Sequence, residues 1–147
     1  VFIACDRMEP YMDYVQKACP EIFDEKQSKK LRIQTLPQIK IQNAPSLTAD
    51  ELYEMQRSED KPLIIDIRGS FAYSISHIEG SINIQDTFLE PMLDNGQPFP
   101  HDKPIVFACM IGDVSTKFAA FAKEQGYDAY SLSCGVGGYL NFIEHQN

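Results

Sequence analysis

The sequence predicts an α/β fold with a central parallel sheet, because short apolar runs alternate with helix-like segments along the chain. Each run is rich in β-branched or other apolar residues, which is typical of strands covered on both faces. The four runs are residues 63–67, 82–84, 105–108 and 129–132. With 147 residues, of which 44% are hydrophobic, the chain is long enough for one core and too short for two full domains.

Two of the helices are indicated by their ends. Thr48 and Glu51 have the spacing of a capping box, in which each side chain bonds a backbone N–H at a helix start, so a helix is predicted over 49–57. A second helix should begin near Ser115 and stop at Gly126. The residues that repeat at helical spacing within it, and are predicted to pack in the core, are Phe118, Phe121 and Ala122.

The first 44 residues differ from the rest and are predicted to form an N-terminal extension with a linker, followed by one domain over 45–147. The segments predicted within the extension are a strand at 1–4, a helix at 11–18, a polar linker at 24–30 and an extended stretch at 36–41. The extended stretch is expected because Pro37 and Pro45 oppose helix formation around it.

Charge and hydropathy exclude several classes of partner. Thirteen basic and 21 acidic residues give a net charge of -8, which repels nucleic acid and anionic membranes. The start of the chain lacks the basic region and apolar core of a signal peptide, and no apolar stretch approaches the roughly 20 residues needed to cross a bilayer. We therefore expect a soluble, cytoplasmic protein that binds neither nucleic acid nor membrane.

The cysteines and histidines are too scattered for a metal site. They are Cys5, Cys19, Cys109, Cys134, His77, His101 and His145. Their spacing matches neither a CxxC metal knuckle nor a small disulfide-rich scaffold. The sequence therefore predicts free thiols and no bound metal.

Cys109 is the candidate nucleophile because of its position in the predicted fold. It follows the strand at 105–108 and precedes the helix near Ser115, and ligands of open α/β sheets bind beyond the carboxyl ends of strands. A helix N-terminus and loop N–H groups favour the thiolate form of a cysteine in such a place. Gly112 allows the loop to turn tightly.

Three ordered motifs are similar to those of the rhodanese family. The motifs are Asp66-Ile67-Arg68, His77-Ile78-Glu79-Gly80-Ser81-Ile82-Asn83 and Cys109-Met110-Ile111-Gly112-Asp113-Val114-Ser115. A later segment, Leu132-Ser133-Cys134-Gly135 with Tyr139, resembles the family's Leu-x-Gly-Gly followed by an aromatic residue. The resemblance covers about residues 45–147.

This resemblance implies a rhodanese-like three-layer fold and a sulfurtransferase that carries sulfane sulfur as a persulfide on Cys109. The loop residues that would bind the sulfur through their amides are Met110, Ile111, Gly112, Asp113, Val114 and Ser115. Asp66 and Arg68 would support the site as an ion pair, and His77 would belong to a structural turn. The partners implied are a sulfur donor, either a small molecule or a protein persulfide, and a thiol acceptor, with no cofactor.

The loop departs from the thiosulfate-using pattern, in which basic residues follow the cysteine, because Met110 and Val114 stand in those places. Asp113 adds a negative charge that opposes an anionic donor. Thiosulfate is therefore predicted to be a poor donor.

The related phosphatases and arsenate reductases bind their oxyanion with an arginine near position 115, where this chain has a serine. Phosphatase activity is therefore not expected.

Two alternatives remain open from the sequence. Cys109 could be an inert thiol in a noncatalytic regulatory or interaction module of rhodanese fold. The start of the chain is similar to the end of cysteine-synthase-like pyridoxal-phosphate enzymes, so such a module could be attached to an upstream enzyme domain. Cys134 could form a disulfide with Cys109, although a structural role is the favoured interpretation.

Overall fold

The computed structural model describes residues 36–94 and 99–146, which form a five-stranded sheet with helices on both faces. The elements are α1 (Gln38–Gln42), β1 (Ser46–Leu47), α2 (Ala49–Gln56), β2 (Leu63–Asp66), α3 (Ser70–Ile75), β3 (Ile82–Asn83), α4 (Asp86–Asp94), β4 (Ile105–Ala108), α5 (Asp113–Glu124), β5 (Ala129–Leu132) and α6 (Gly135–Glu144). The four strands predicted between residues 63 and 132 are confirmed to within one residue.

The sheet is entirely parallel, with the strand order β1-β5-β4-β2-β3. β4 lies at its centre, where Asp66 of β2 is paired with Ala108 and Ser131 of β5 with Phe107. Because all strands run the same way, every strand ends at one side of the sheet, which we call its carboxyl end. The predicted α/β class with a central parallel sheet is confirmed.

The two faces of the sheet bury two separate cores. In β4, Phe107 packs into a cluster with residues of α4 and α5, whereas Val106 packs on the other face with residues of α2 and α6. All four residues of β4 are buried. This explains why the strand is continuously apolar, since neither face is left to solvent.

The predicted helix ends agree with the structure for α2 and α5. The Thr48 and Glu51 capping box is present, and the helix runs over Ala49–Gln56. Gly126 has φ +95°, a conformation that glycine adopts without strain, and it follows the last turn of α5. α5 begins at Asp113, two residues earlier than predicted.

The prediction of extended chain over 36–41 is wrong, because residues Gln38–Gln42 form the short helix α1. Pro37 is the residue before the helix, with φ -59°, so its ring constrains the chain at a helix start rather than opposing the helix. α1 packs against α5, where Lys40 forms an ion pair with Glu124. A tertiary contact thus stabilises a helix that the proline pattern argued against.

The other predictions for the extension fall outside the described residues. These are the strand at 1–4, the helix at 11–18, the linker at 24–30 and the likeness to an upstream enzyme. The domain boundary near residue 44 stays a prediction. Among the helices of 36–94 and 99–146, none is long and apolar enough to cross a membrane.

Candidate active site

Cys109 lies at the carboxyl end of the central strand, in the loop that connects β4 to α5. The strand pairs on both sides hold the backbone at this point, and the side chain is only 5% exposed. Two backbone N–H groups donate to Sγ, from Gly112 at 3.1 Å and from Ser115 at 3.4 Å. Both donors lie at the start of α5, where the helix dipole also favours negative charge. The two N–H groups are thus directed at the sulfur without any basic side chain in the loop.

Gly112 is required by the loop geometry for two reasons. Its φ is +97°, a left-handed conformation that is strained for other residues. A Cβ at this position would lie 3.0 Å from the carbonyl oxygen of Leu132 and 3.2 Å from the N of Cys134. The tight turn that brings the Gly112 N–H to the sulfur thus depends on the absence of a side chain.

A buried pair of serines completes the environment of the sulfur. Ser115 Oγ lies 3.4 Å from Cys109 Sγ and 2.7 Å from Ser131 Oγ, and both serines are buried. When the sulfur is a thiolate, the Ser115 hydroxyl must donate to it, so the Ser131 hydroxyl can donate to Ser115 in turn. The two hydroxyls then form a chain of donors that ends at the sulfur.

Ser131 is a site residue that the sequence analysis did not identify. A polar side chain in a strand buried on both faces needs a hydrogen-bond partner. The serine within the apolar run 129–132 therefore indicated that another polar group lies close to it. Because β5 pairs directly with β4, the strand register brings the Ser131 hydroxyl to Ser115.

Replacing Ser131 with alanine should slow the reaction of Cys109 with iodoacetamide about threefold near neutral pH, because the Ser115 hydroxyl loses the donor that orients it. The measurement is the alkylation rate against pH. Ser133→Ala, two residues along the chain, is the matched control. An unchanged profile for Ser131→Ala would mean that the serine pair only fills the core.

Asp113 contributes a negative charge beside the sulfur. Its Oδ1 lies 3.6 Å from Cys109 Sγ, and the N–H of Val114 donates to the same oxygen at 2.9 Å. The thiol can donate to this carboxylate, whereas a thiolate or an anionic ligand is repelled by it. The predicted effect of Asp113 on the site therefore has a geometric basis.

The loop rests on the start of α6. The carbonyl oxygen of Cys109 accepts a hydrogen bond from the N–H of Val136 at 2.8 Å, and the carbonyl of Met110 accepts one from Gly137 at 3.4 Å. Gly135 packs so closely that a Cβ there would lie 2.3 Å from the Met110 oxygen. These contacts fix the backbone of the cysteine, and they explain why residue 135 is a glycine.

The predicted loop residues divide into two groups. Gly112 and Ser115 direct their N–H groups at the sulfur. Three side chains instead face solvent, with exposed fractions of 53% for Met110, 64% for Ile111 and 42% for Val114. The structure thus brings two of the six predicted amides to Sγ and leaves an apolar surface around it.

Asp66 and Arg68 form the predicted ion pair. The guanidinium donates to both carboxylate oxygens, at 2.8 to 3.2 Å, and also to the carbonyl of Ser76 at 2.7 Å. Asn83 donates to the carbonyl oxygens of both Asp66 and Arg68, each at 2.9 Å. Asp66 is 1% exposed, and the Arg68 side chain is 9% exposed. This network ties β2, the segment after α3, and β3 together, so the Arg68 side chain is committed to a structural role.

Asp66→Asn should destabilise the protein by about 2 kcal/mol, because it leaves the mostly buried guanidinium without a counter-charge while keeping one oxygen acceptor. Urea unfolding followed by circular dichroism measures this. Asp102→Asn, at an exposed position, is the control and should change stability by less than about 0.5 kcal/mol. Equal midpoints for the two variants would contradict a stabilising role for the pair.

The remaining candidates are structural. A ring nitrogen of His77 lies 2.8 Å from the carbonyl of Tyr73, and the ring stacks on Tyr73, as expected for a turn. Burial raises the pKa of Tyr139, and its neighbours Tyr53 and Glu79 add to the effect, so this phenol stays neutral. Cys134 is a free, exposed thiol with φ +65°.

Within 36–94 and 99–146, no group of three or more His, Cys, Asp or Glu side chains is arranged to hold a metal ion.

Comparison with known proteins identifies the family. A model of the rhodanese-like domain matches residues 48–142. The chain is 27% identical over 95 residues to a thiosulfate sulfurtransferase, GlpE, of Glaesserella parasuis, covering 64% of this chain and 84% of that protein. It is 32% identical over 82 residues to a tRNA sulfurtransferase of Desulfurococcus amylolyticus, covering 56% of this chain but 16% of that protein.

A solved structure shows the same fold. The rhodanese-related protein of Thermoplasma volcanium superimposes with a TM-score of 0.55 at 23% identity, covering 67% of this chain and 92% of that chain. The family model spans more than half of the chain, and the matched residues include all three motifs. The chain therefore belongs to the rhodanese-like domain family.

Proposed function

We propose that this protein is a sulfurtransferase that carries sulfane sulfur as a persulfide on Cys109. The observation that carries the proposal is the pair of N–H groups, from Gly112 and Ser115, directed at the Cys109 sulfur at the carboxyl end of β4. Relatives named as sulfurtransferases support the same reaction class. A sulfur held by fixed N–H donors is stabilised as an anion without the protein having to reorganise.

The reaction has two displacement steps. In the first, the Cys109 thiolate attacks the outer sulfur of a donor persulfide R–S–SH. A bond forms between the two sulfurs, the donor S–S bond breaks, and its electron pair leaves with R–S⁻. In the second, an acceptor thiolate attacks the outer sulfur of the Cys109 persulfide, and the electron pair returns to Cys109 as a thiolate. No net oxidation occurs, so no cofactor is needed.

The charges around the sulfur favour a donor that is not an oxyanion. Asp113 places a carboxylate oxygen 3.6 Å from Sγ, and the Arg68 guanidinium is already bonded to Asp66 and Ser76. Thiosulfate would bring two negative charges close to the Asp113 carboxylate, which repels them. The relative from Glaesserella parasuis is named for thiosulfate, but we propose that a persulfide is the better donor here.

Asp113→Asn should raise the rate of persulfide formation from thiosulfate about tenfold, because a carboxylate no longer opposes the dianion. The rate from an alkyl persulfide, which carries at most one negative charge, should change less than about threefold. Stopped-flow or quenched mass analysis with each donor gives the two rates. An equal change for both donors would show that Asp113 acts on the thiol and not on donor choice.

Intact-mass analysis tests the proposal itself. After incubation with an alkyl persulfide, or with a cysteine desulfurase and cysteine, the protein should gain one sulfur that dithiothreitol removes. Cys134→Ser should gain the same sulfur, which separates the loop thiol from the exposed one. The absence of an adduct with persulfide, desulfurase and thiosulfate alike would overturn the proposal.

A noncatalytic module is the second candidate, and the contact between Asp113 and the Cys109 sulfur favours it because a carboxylate opposes thiolate formation. In that case Cys109 should react with iodoacetamide no faster than a free cysteine at any pH. A rate well above that of free cysteine at pH 7 would exclude this candidate.

A further inference from the structure

The surface around Cys109 exposes large apolar side chains. They are Phe71, Ile75, Met110, Ile111 and Val114, which we call the apolar face. Their exposed fractions run from 42% to 69%. Among the described residues, only one other large hydrophobic side chain is exposed to this degree, Ile39 on α1.

The topology places all five residues at the carboxyl end of two adjacent strands, β2 and β4. Met110, Ile111 and Val114 follow the carboxyl end of β4. Phe71 and Ile75 lie one helical turn apart on α3, which begins just after the adjacent strand β2. The N–H of Ile67 donates a hydrogen bond to the carbonyl oxygen of Ala108, so the carboxyl ends of β2 and β4 lie side by side. Arg68 also bonds the carbonyl of Ser76, which holds the far end of α3 near the same point.

Among the described residues, acidic side chains occur at both ends of the sheet, whereas basic side chains lie mostly at its amino end. The acidic residues at helix starts on the carboxyl end are Asp50, Glu51, Asp86 and Asp113. The basic residues found before strands or at helix ends, on the amino end of the sheet, are Lys40, Arg57, Lys61, Lys103 and Lys123. The other two basic residues of the described chain are Lys117 and Arg68. Lys117 lies in the second turn of α5, and Arg68 is paired with Asp66. Asp113 lies between Ile111 and Val114 in the chain, so negative charge borders the apolar face, and most of the described basic residues lie at the other end of the sheet.

We propose that the apolar face binds the protein that accepts sulfur from Cys109, and that this acceptor presents its cysteine on an apolar surface edged with lysines and arginines. The inference rests on the proposed function. A small thiol needs only to reach the sulfur, whereas a contiguous apolar surface exposed around a reactive group is typical of a protein-binding site. The acidic border complements a basic partner and repels anionic membranes.

The test measures transfer from persulfidated Cys109 to short cysteine peptides. Three peptides each carry one cysteine, with lysines and leucines, with glutamates and leucines, or with lysines and serines. Each rate is divided by the same peptide's rate with a small disulfide, which removes differences in thiol reactivity. The lysine and leucine peptide should react about tenfold faster than the other two at low salt, and its advantage should shrink as salt is added.

Ile75→Ser and Phe71→Ser should each lower the rate with the lysine and leucine peptide severalfold while leaving the rate with dithiothreitol unchanged. Ile39→Ser is the matched control, since Ile39 is 65% exposed on α1 at a distance from the loop, and both rates should stay the same. Neither Phe71 nor Ile75 belongs to the cysteine loop.

The outcomes separate this inference from the proposed function. If no persulfide forms on Cys109, the proposed function fails. If persulfide forms and reaches dithiothreitol, but the three peptides react alike or Ile75→Ser has no effect on them, the docking inference alone is wrong. It is also wrong if Ile75→Ser abolishes self-association in sedimentation experiments without changing the peptide rates, because the face would then be a contact between copies of this chain.

Discussion

Cys109→Ser should retain the fold and lose sulfur transfer entirely, with a fall in rate on the order of 1,000-fold or more. The side chain is buried at the end of the central strand, and serine has nearly the same shape, so stability should change by less than about 1 kcal/mol. A serine hydroxyl keeps its proton near neutral pH and forms no persulfide. The two N–H groups of the loop would then have no charged sulfur to stabilise.

The measurements are intact mass after incubation with a persulfide donor and the rate of transfer to dithiothreitol. Cys134→Ser is the matched control, because it removes the other free thiol of the described chain and should leave both measurements unchanged. A sulfur adduct that persists in Cys109→Ser would place the carrier on a different cysteine and contradict the assignment.

Gly135→Ala should lower stability by about 3 kcal/mol and sulfur transfer about 100-fold. The residue has φ +63°, and a Cβ there would lie 2.3 Å from the carbonyl oxygen of Met110 and 2.4 Å from that of Cys109. The left-handed conformation costs roughly 1 to 2 kcal/mol for alanine, and the overlap costs about as much again. Relief requires the cysteine backbone to move, and displacing a reacting group by about 1 Å has a large effect on rate.

Gly137→Ala, two residues further along the same helix, is the control. A Cβ at Gly137 would lie 3.6 Å from the Met110 oxygen, an ordinary contact, and alanine stabilises helix by about 1 kcal/mol relative to glycine. It should be as active as the original protein. Thermal unfolding followed by circular dichroism and the rate of persulfide formation distinguish the two variants. Full activity in Gly135→Ala would mean that the loop does not depend on its contact with α6.

The first prediction concerns the Cys109 side chain and the second the loop backbone, whose N–H groups are directed at the sulfur. The charged or polar side chains near the sulfur are Asp113, which opposes anions, and the buried Ser115 and Ser131 pair. Catalysis by such a site depends on where N–H groups point, and so on the strand and the helix that position them.

The strands could be predicted from the sequence because their residues are buried on both faces. Val106 and Phe107 enter opposite cores, so every position of β4 is apolar, and a short apolar run is the signature of such a strand. The start of α2 was equally clear, because the interactions of a capping box are local and are encoded three residues apart.

The elements that were missed or wrongly predicted depend on distant contacts. α1 forms beside Pro37 because it packs on α5, which is about 80 residues away in the chain. α6 begins with glycines, which are poor helix formers. The close approach of the Cys109 loop explains the first of them, Gly135. Local propensity predicted neither case correctly because the deciding contact is not local.

For Cys109, the sequence by itself determined the strand before it, the helix after it and the order of motifs that marks the family. Only the tertiary structure decided which two amides reach the sulfur, that Ser131 lies behind Ser115, and that Phe71 and Ile75 are exposed on the helix that follows β2. The physical reason is that hydrophobic periodicity and helix caps act between near neighbours. The site instead depends on the register of β2, β4 and β5, which joins residues that are far apart in the chain.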